Sequence, residues 1–225
     1  MRFLALLLIL SLKCLTSNAG TDHHGESWNT ANYNHKLSKS FTMFADASLR
    51  FVTGPWQWRQ QLVRVAPEIR ISPKMNLGFG YAFSNLHVID RPSNHSYEHR
   101  PHFQLVFQQN NEKAIHRLRL RTEGRFIRSN SSGSDTDYFT RIRFQYRGAF
   151  PCKKNTSQHF VFAEETMVQA NGTDDFGFNQ QRFYFGFRIN MKKTRAWEIA
   201  YMNILRVPNN SDIDLTHTLW INFFF

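Results

Sequence analysis

From residue 41 to the C-terminus this sequence alternates apolar and polar residues in segment after segment, and none carries the 3.6-residue period of a helix. The clearest case is His116 to Phe126, HRLRLRTEGRF, with Arg117, Arg119, Arg121 and Arg125 on one face and Leu118, Leu120 and Phe126 on the other. Successive side chains of a β-strand point to opposite sides, so this spacing is that of a two-faced strand. Many such strands in one chain predict an all-β fold. The alternation does not say which face is outside. In a soluble protein the arginines meet bulk water and the leucines a core. In a membrane barrel the leucines meet lipid and the arginines line a wet or filled interior.

The other segments repeat the pattern. Phe41, Met43, Ala45, Ala47, Leu49 and Phe51 oppose Thr42, Asp46, Ser48 and Arg50, and Val63, Val65, Ile69 and Ile71 oppose Arg64, Glu68 and Arg70. Met75 to Phe83 sets Leu77, Phe79 and Tyr81 against Asn76, Gly78 and Gly80, and Phe103, Leu105 and Phe107 then oppose Glu98, Arg100, His102 and Gln104. Further on, Ile142, Phe144 and Tyr146 oppose Arg141, Arg143, Gln145 and Arg147, and Phe160, Phe162 and Val168 oppose Glu165 and Gln169. Phe183, Phe185, Phe187 and Ile189 face away from Gln180, Arg182, Gly186 and Arg188, before AWEIAYMNI and the closing HTLWINFFF. Including SWNTANYNHKL there are eleven segments. Single-chain bacterial barrels have an even number of strands, so the expectation is ten to twelve, with ten closing from Phe41 onward and the segment around Trp28 unplaced.

The connections point the same way. SPK (72–74), NNEK (110–113) and MKKTR (191–195) are short; VIDRPSNHS, RSNSSGSDTD, ANGTDDFG and VPNNSD are longer and rich in Asn, Ser, Asp and Gly. PCKKNTSQ is a long member of the short class. Outer-membrane barrels have short periplasmic turns and longer external loops.

The N-terminus, MRFLALLLILSL followed by TSNAG, has a basic Arg2, an apolar run and small residues at a cleavage spacing, the form of a secretory signal peptide. The run is too short for a membrane helix. The expected organisation is a signal at 1–19, an N-terminal segment and candidate first strand at 20–40, and an outer-membrane barrel domain at 41–225. Cleavage near Ala19 leaves about 206 residues, enough for one domain, with Cys152 as the remaining cysteine and so no intrachain disulfide. Without Arg2 and Lys13 the net charge of +11 falls to about +9. Nucleic acid is the reflex partner for such a charge. Export, and arginines alternating along strands, argue against it.

Three features favour lipid on the outside. The apolar faces are dominated by Phe, of which there are 22, and a lipid-facing band tolerates large rings without tight interlocking. The polar faces mix Gly78, Gly80 and Gly186 with long arginines, and alternating small and large residues is how a narrow barrel interior is filled. The chain ends on Phe225, preceded at spacing two by Phe223, Ile221 and Leu219, which resembles the C-terminal strand that outer-membrane assembly machinery recognises.

The blocks NLGFGYAF, YEHRPHFQ, RLRLRTEGRF, TRIRFQYR, NQQRFYFGF and HTLWINFFF resemble an uncharacterised outer-membrane barrel family of Gram-negative bacteria, catalogued as a domain of unknown function, number twenty-four-ninety. The likeness runs from about Trp28 to Phe225, and Glu98-His99-Arg100-Pro101 is its most specific block. It implies a fold and a location, with outer-membrane lipid, lipopolysaccharide and the barrel-assembly machinery as partners. It implies no activity and no cofactor.

On this reading Arg64, Arg70, Arg100, Arg117, Arg119, Arg121, Arg125, Arg141, Arg143, Arg147, Arg182 and Arg188 face the interior, with Glu68, Glu98, Glu123, Glu165 and Glu198 as partners. Charges inside a barrel must be paired or solvated, so a structural charge network is the first expectation. The second is a small anion-selective pore or a binder of an anionic solute or lipid, because arginines outnumber carboxylates. A lipid-modifying hydrolase is a third, resting on His95, Ser96, Glu98 and His99 in one polar stretch. No metal site is expected: His23 and His24 lie beside the cleavage site, and His99 and His102 point to opposite faces. The Asn-x-Ser/Thr triplets at Asn94, Asn130, Asn155, Asn171 and Asn209 arise by chance in loops of this composition.

Overall fold

A computed structural model describes residues 21–54, 56–88, 91–130, 135–152, 157–171, 175–192, 195–206 and 213–225. The segment 1–19, expected to be a signal peptide, lies outside the described residues. Every alternating segment forms a strand: β1 (Thr21–Lys36), β2 (Phe41–Val52), β3 (Gln57–Ser72), β4 (Met75–Val88), β5 (Arg91–Asn110), β6 (Ile115–Ser129), β7 (Thr136–Pro151), β8 (Gln158–Asn171), β9 (Asp175–Lys192), β10 (Arg195–Arg206) and β11 (Ile213–Phe224). Among the described residues there is no helix. Each strand pairs with its neighbours in sequence, and the sheet closes on itself.

The closing seam sets the count at eleven, within the expected ten to twelve, and makes the candidate first strand part of the barrel. The segment around Trp28 is β1, antiparallel to β2 on one side and parallel to β11 on the other, from Thr21↔Ile213 to Asn32↔Phe224. An up-and-down sheet with an odd number of strands brings its first and last strands together in the same direction, so one parallel pair is obligatory. The even-number rule fails here, and Trp28 has its place in the barrel wall.

The ladder fixes the barrel's size. From Trp28 it leads through Arg50, Gln60, Leu86 and Ser96 to Ser129. The other way it leads through Trp220, Ala200, Gly186, Val161 and Ala149 to Ile115. The two end points lie 14 residues apart on β6 (115 to 129), which is the stagger of the closed sheet. With ordinary strand spacings, eleven strands and this stagger give a tilt of about 41° and a backbone radius of about 11 Å. That leaves room for one layer of long side chains from each wall and little more.

The connections are shorter than the sequence suggested. β4 runs to Val88 and β5 starts at Arg91, so most of VIDRPSNHS belongs to strands; β6, β7, β8 and β9 likewise take up part of RSNSSGSDTD and ANGTDDFG. VPNNSD (207–212) lies outside the described residues. Pairing needs backbone groups alone, so Asn-, Ser- and Asp-rich sequence continues a hairpin as readily as it forms a loop.

The exterior carries the apolar faces. Phe79, Phe103, Leu118, Leu120, Phe160, Phe185, Trp197, Ile199 and Leu219 are all exposed there. The interior carries the other parity, with Arg121, Glu123, Gln104, Glu198 and Trp28 almost wholly enclosed.

Candidate functional site

The alternation that makes each strand two-faced also loads the interior with guanidinium groups. Four carboxylates hold most of them, and each is shared. Glu123 accepts from Arg141 at 2.5 Å and Arg143 at 2.8 Å, with Arg121 at 3.4 Å. Glu165 pairs with Arg119 at 2.7 Å, Arg143 at 2.8 Å and Arg182 at 3.6 Å. Arg143 therefore bridges the two carboxylates. Glu98 pairs with Arg125 at 2.5 Å and with Arg100. Glu198 takes Arg147 at 2.5 Å from three strands away, Arg188 at 3.9 Å and the Tyr184 hydroxyl. On the opposite wall Arg117 lies 4.0 Å from Glu68, which also accepts from Gln104 at 2.7 Å.

Sixteen of the seventeen residues singled out from the sequence line one lumenal cavity of about 760 Å³. Arg70 does not: it sits exposed near the end of β3, beside the turn at 73–74, where the alternation holds but the side chain is open to solvent. Residues that the sequence reading left out of the network also face in. Asp46 takes Arg64 at 2.5 Å; the polar parity of its strand signalled it. Trp28, 1% exposed, is the largest. Its indole donates to Glu26 at 2.6 Å, meets Trp220 edge-on at 5.5 Å, and carries Arg50 at 3.6 Å and Arg182 at 5.2 Å from its ring centre. SWNTANYN shows no apolar face, because its inward positions include Trp28, Thr30 and Asn32 and its outward ones, Tyr33 apart, are small or polar, so periodicity gave no warning of this cluster.

Among the described residues fourteen arginines and seven carboxylates line the cavity, and no lysine does. A planar fork of five donors can serve two acceptors at once, which a lysine ammonium does less well. Even so, Arg50 Nε, Arg100 Nε, Arg119 Nε, Arg182 Nε and Gln180 Nε2 are buried without an acceptor. These five are donors; Asn85 Oδ1, His102 Nε2, His159 Nδ1 and Thr218 Oγ1 are also buried without a partner.

The residues considered for hydrolysis are not assembled into a triad. Ser96 and Glu98 share the inward parity and Glu98 is taken by arginines, while His95 bonds Asn130 and His99 bonds Tyr81. Among the described residues no group of three or more His, Cys, Asp or Glu is placed to hold a metal ion.

Fold and interior together define a small closed β-barrel with an apolar exterior and a guanidinium–carboxylate interior. The family described as Protein of unknown function (DUF2490) matches residues 25–212, and the chain belongs to that family. No curated protein matches the sequence.

Proposed function

We propose that this chain is a β-barrel of the Gram-negative outer membrane, exported through the signal at 1–19 and built around a structural charge network. The observation that carries this reading is the exterior: large apolar side chains on strand after strand, from Val63 and Phe79 through Leu120 and Phe185 to Trp197 and Leu219, lie exposed. Monomeric soluble proteins rarely expose contiguous apolar patches above about 300–600 Å². Lipid is the solvent that such a surface requires. The C-terminal strand, with Leu219, Ile221, Phe223 and Phe225 on one parity, supports recognition by barrel-assembly machinery, and the surrounding lipid and lipopolysaccharide are the remaining partners. Extraction tests the proposal: the mature chain should need detergent and show a heat-shifted gel mobility. A monomer freely soluble in plain buffer would end it.

A second reading, passage or binding of anions through the lumen, is favoured by the twofold excess of arginines over carboxylates around the cavity. A positive field in a narrow aqueous path selects anions. Purified protein in a planar bilayer should show an anion-selective reversal potential, and a silent membrane would refute passage.

A further inference from the structure

We propose that the lumen contains a discrete site for a compact phosphate-type oxyanion, formed by Arg50, Arg100, Arg182 and Gln180 around Trp28. The site deepens the anion reading, yet it stands or falls separately from passage.

Four observations converge. Arg50 and Arg182, from β2 and β9, lie against the same indole, at 3.6 and 5.2 Å from its centre. The Trp28 ring holds two like charges that it does not neutralise. Arg100 from β5 and Arg141 from β7 line the same cavity. Four guanidiniums thus enter one lumen from four strands.

The local carboxylates are already committed. Glu98 is shared between Arg100 and Arg125, Glu165 among Arg119, Arg143 and Arg182, and Glu26 holds the Trp28 indole. Arg50 bonds Gln60 at 2.6 Å and makes no ion pair among the described residues. Along the cavity lining the unspent hydrogen-bonding capacity is mainly on donors. Arg50 Nε, Arg100 Nε, Arg182 Nε and Gln180 Nε2 are buried donors without acceptors. Gln180 is 5% exposed, and its carbonyl accepts from Arg182 at 3.3 Å, which leaves the amide nitrogen for the lumen.

A buried donor without an acceptor carries a desolvation cost that a ligand oxygen removes. Guanidinium forks match the oxygens of a phosphate group in pairs, so a tetrahedral oxyanion satisfies several of these donors at once. Chloride, a single sphere, does not reproduce that geometry. The group is either free phosphate, a soluble phosphate ester or the phosphate of a lipid headgroup.

The test is calorimetric titration of the detergent-solubilised full chain at low ionic strength, with three probes: inorganic phosphate, glycerol phosphate and short-chain phosphatidic acid. Chloride at matched ionic strength is the reference. Saturable binding of at least one phosphate probe, with a change in tryptophan emission from Trp28, is the expected result, and the probe that binds identifies the source. Arg50→Gln and Gln180→Leu should each weaken it about tenfold or more, as loss of a charge-assisted or buried hydrogen bond predicts. Arg188→Gln, in the same lumen but stacked on Phe224 at 4.2 Å, should stay within about twofold. Heat-shifted mobility verifies folding of each variant, and Gln180→Leu serves if Arg50→Gln does not fold. Binding no stronger than chloride, or binding that both substitutions leave unchanged, overturns the site. Saturable binding with a silent bilayer would keep the site and remove passage.

Discussion

Replacing Glu123 by Gln measures whether the interior is held by charge. The carboxylate is 2% exposed and contacts Arg141, Arg143 and Arg121. The amide keeps the shape and one acceptor but removes the negative charge. Of the three cations, Arg143 retains Glu165 at 2.8 Å and Arg121 retains Gln104 at 2.6 Å. Arg141 loses most, because its Nε and Nη2 both donate to Glu123, at 3.0 and 2.5 Å. Breaking a buried pair by removing one partner costs about 3–5 kcal/mol. With two of the three arginines still partnered, the expected loss is about 3 kcal/mol, a folded-to-unfolded ratio lower by about two orders of magnitude. Urea unfolding of the detergent-solubilised barrel, followed by tryptophan emission and heat-shifted mobility, reads it. Adding Arg141→Leu should recover part of the loss, since removing both partners leaves no orphaned charge. Glu112→Gln, in the exposed stretch 111–113, should move stability by less than about 0.5 kcal/mol. A Glu123→Gln loss no larger than that control would refute the argument, because it would mean that the pairs sit in water as ordinary surface salt bridges do.

Three further outcomes follow from the same geometry. Leu120→Arg, at an outward position 47% exposed, should reduce folding into liposomes by about 2–4 kcal/mol if it sits near the bilayer midplane, and a neutral result would contradict a lipid exterior. Gly80→Ala puts a methyl group 2.3 Å from His102 Nε2 and 2.8 Å from the Val65 carbonyl, so it should cost about 1–3 kcal/mol in the same unfolding assay. In a Cys152→Ser background, Asn29→Cys with Ile221→Cys should form a disulfide detectable by mass spectrometry, since these residues are register partners across the parallel seam. A ten-strand closure of β2 on β11 would leave them unlinked.

The sequence made the wall legible because a strand's period is a local property. Each of Arg117, Arg119 and Arg121 declares its face by its neighbours, and the parity that opposes them to Leu118 and Leu120 survives into the barrel. Pairing partners are not local. Nothing in the residues around Glu198 says that Arg147, three strands away, will reach it, or that Arg143 will stand between Glu123 and Glu165. Closure was the hardest part. β1 has no apolar stripe, because Ser27 and Asn29 take outward positions and Trp28 an inward one, so the rule that identifies the other ten strands is blind to it. Arg70 errs the other way: its parity is right, but parity cannot tell where along a strand the lumen opens to solvent.

The interior also links stability to anion affinity. A domain with an apolar core is held by apolar burial, which is indifferent to small ions. Here the cross-links between β5, β6, β7, β8 and β9 are carboxylates, each shared by two or three arginines. Sharing is economical in acids, and it leaves the lumen cationic because seven carboxylates face fourteen arginines. Adding acids to neutralise the excess would strengthen the cross-links and remove the field; removing arginines would weaken both. An oxyanion at Arg50, Arg100, Arg182 and Gln180 supplies the missing acceptors without changing the wall. Ligand that binds the folded barrel and not the unfolded chain raises apparent stability with its concentration. The midpoint of urea unfolding should therefore rise with the phosphate probe that binds, at constant ionic strength, and the rise at a given concentration should shrink in Gln180→Leu. A rise of equal size in that variant would assign the effect to general screening of the arginines and remove the discrete site.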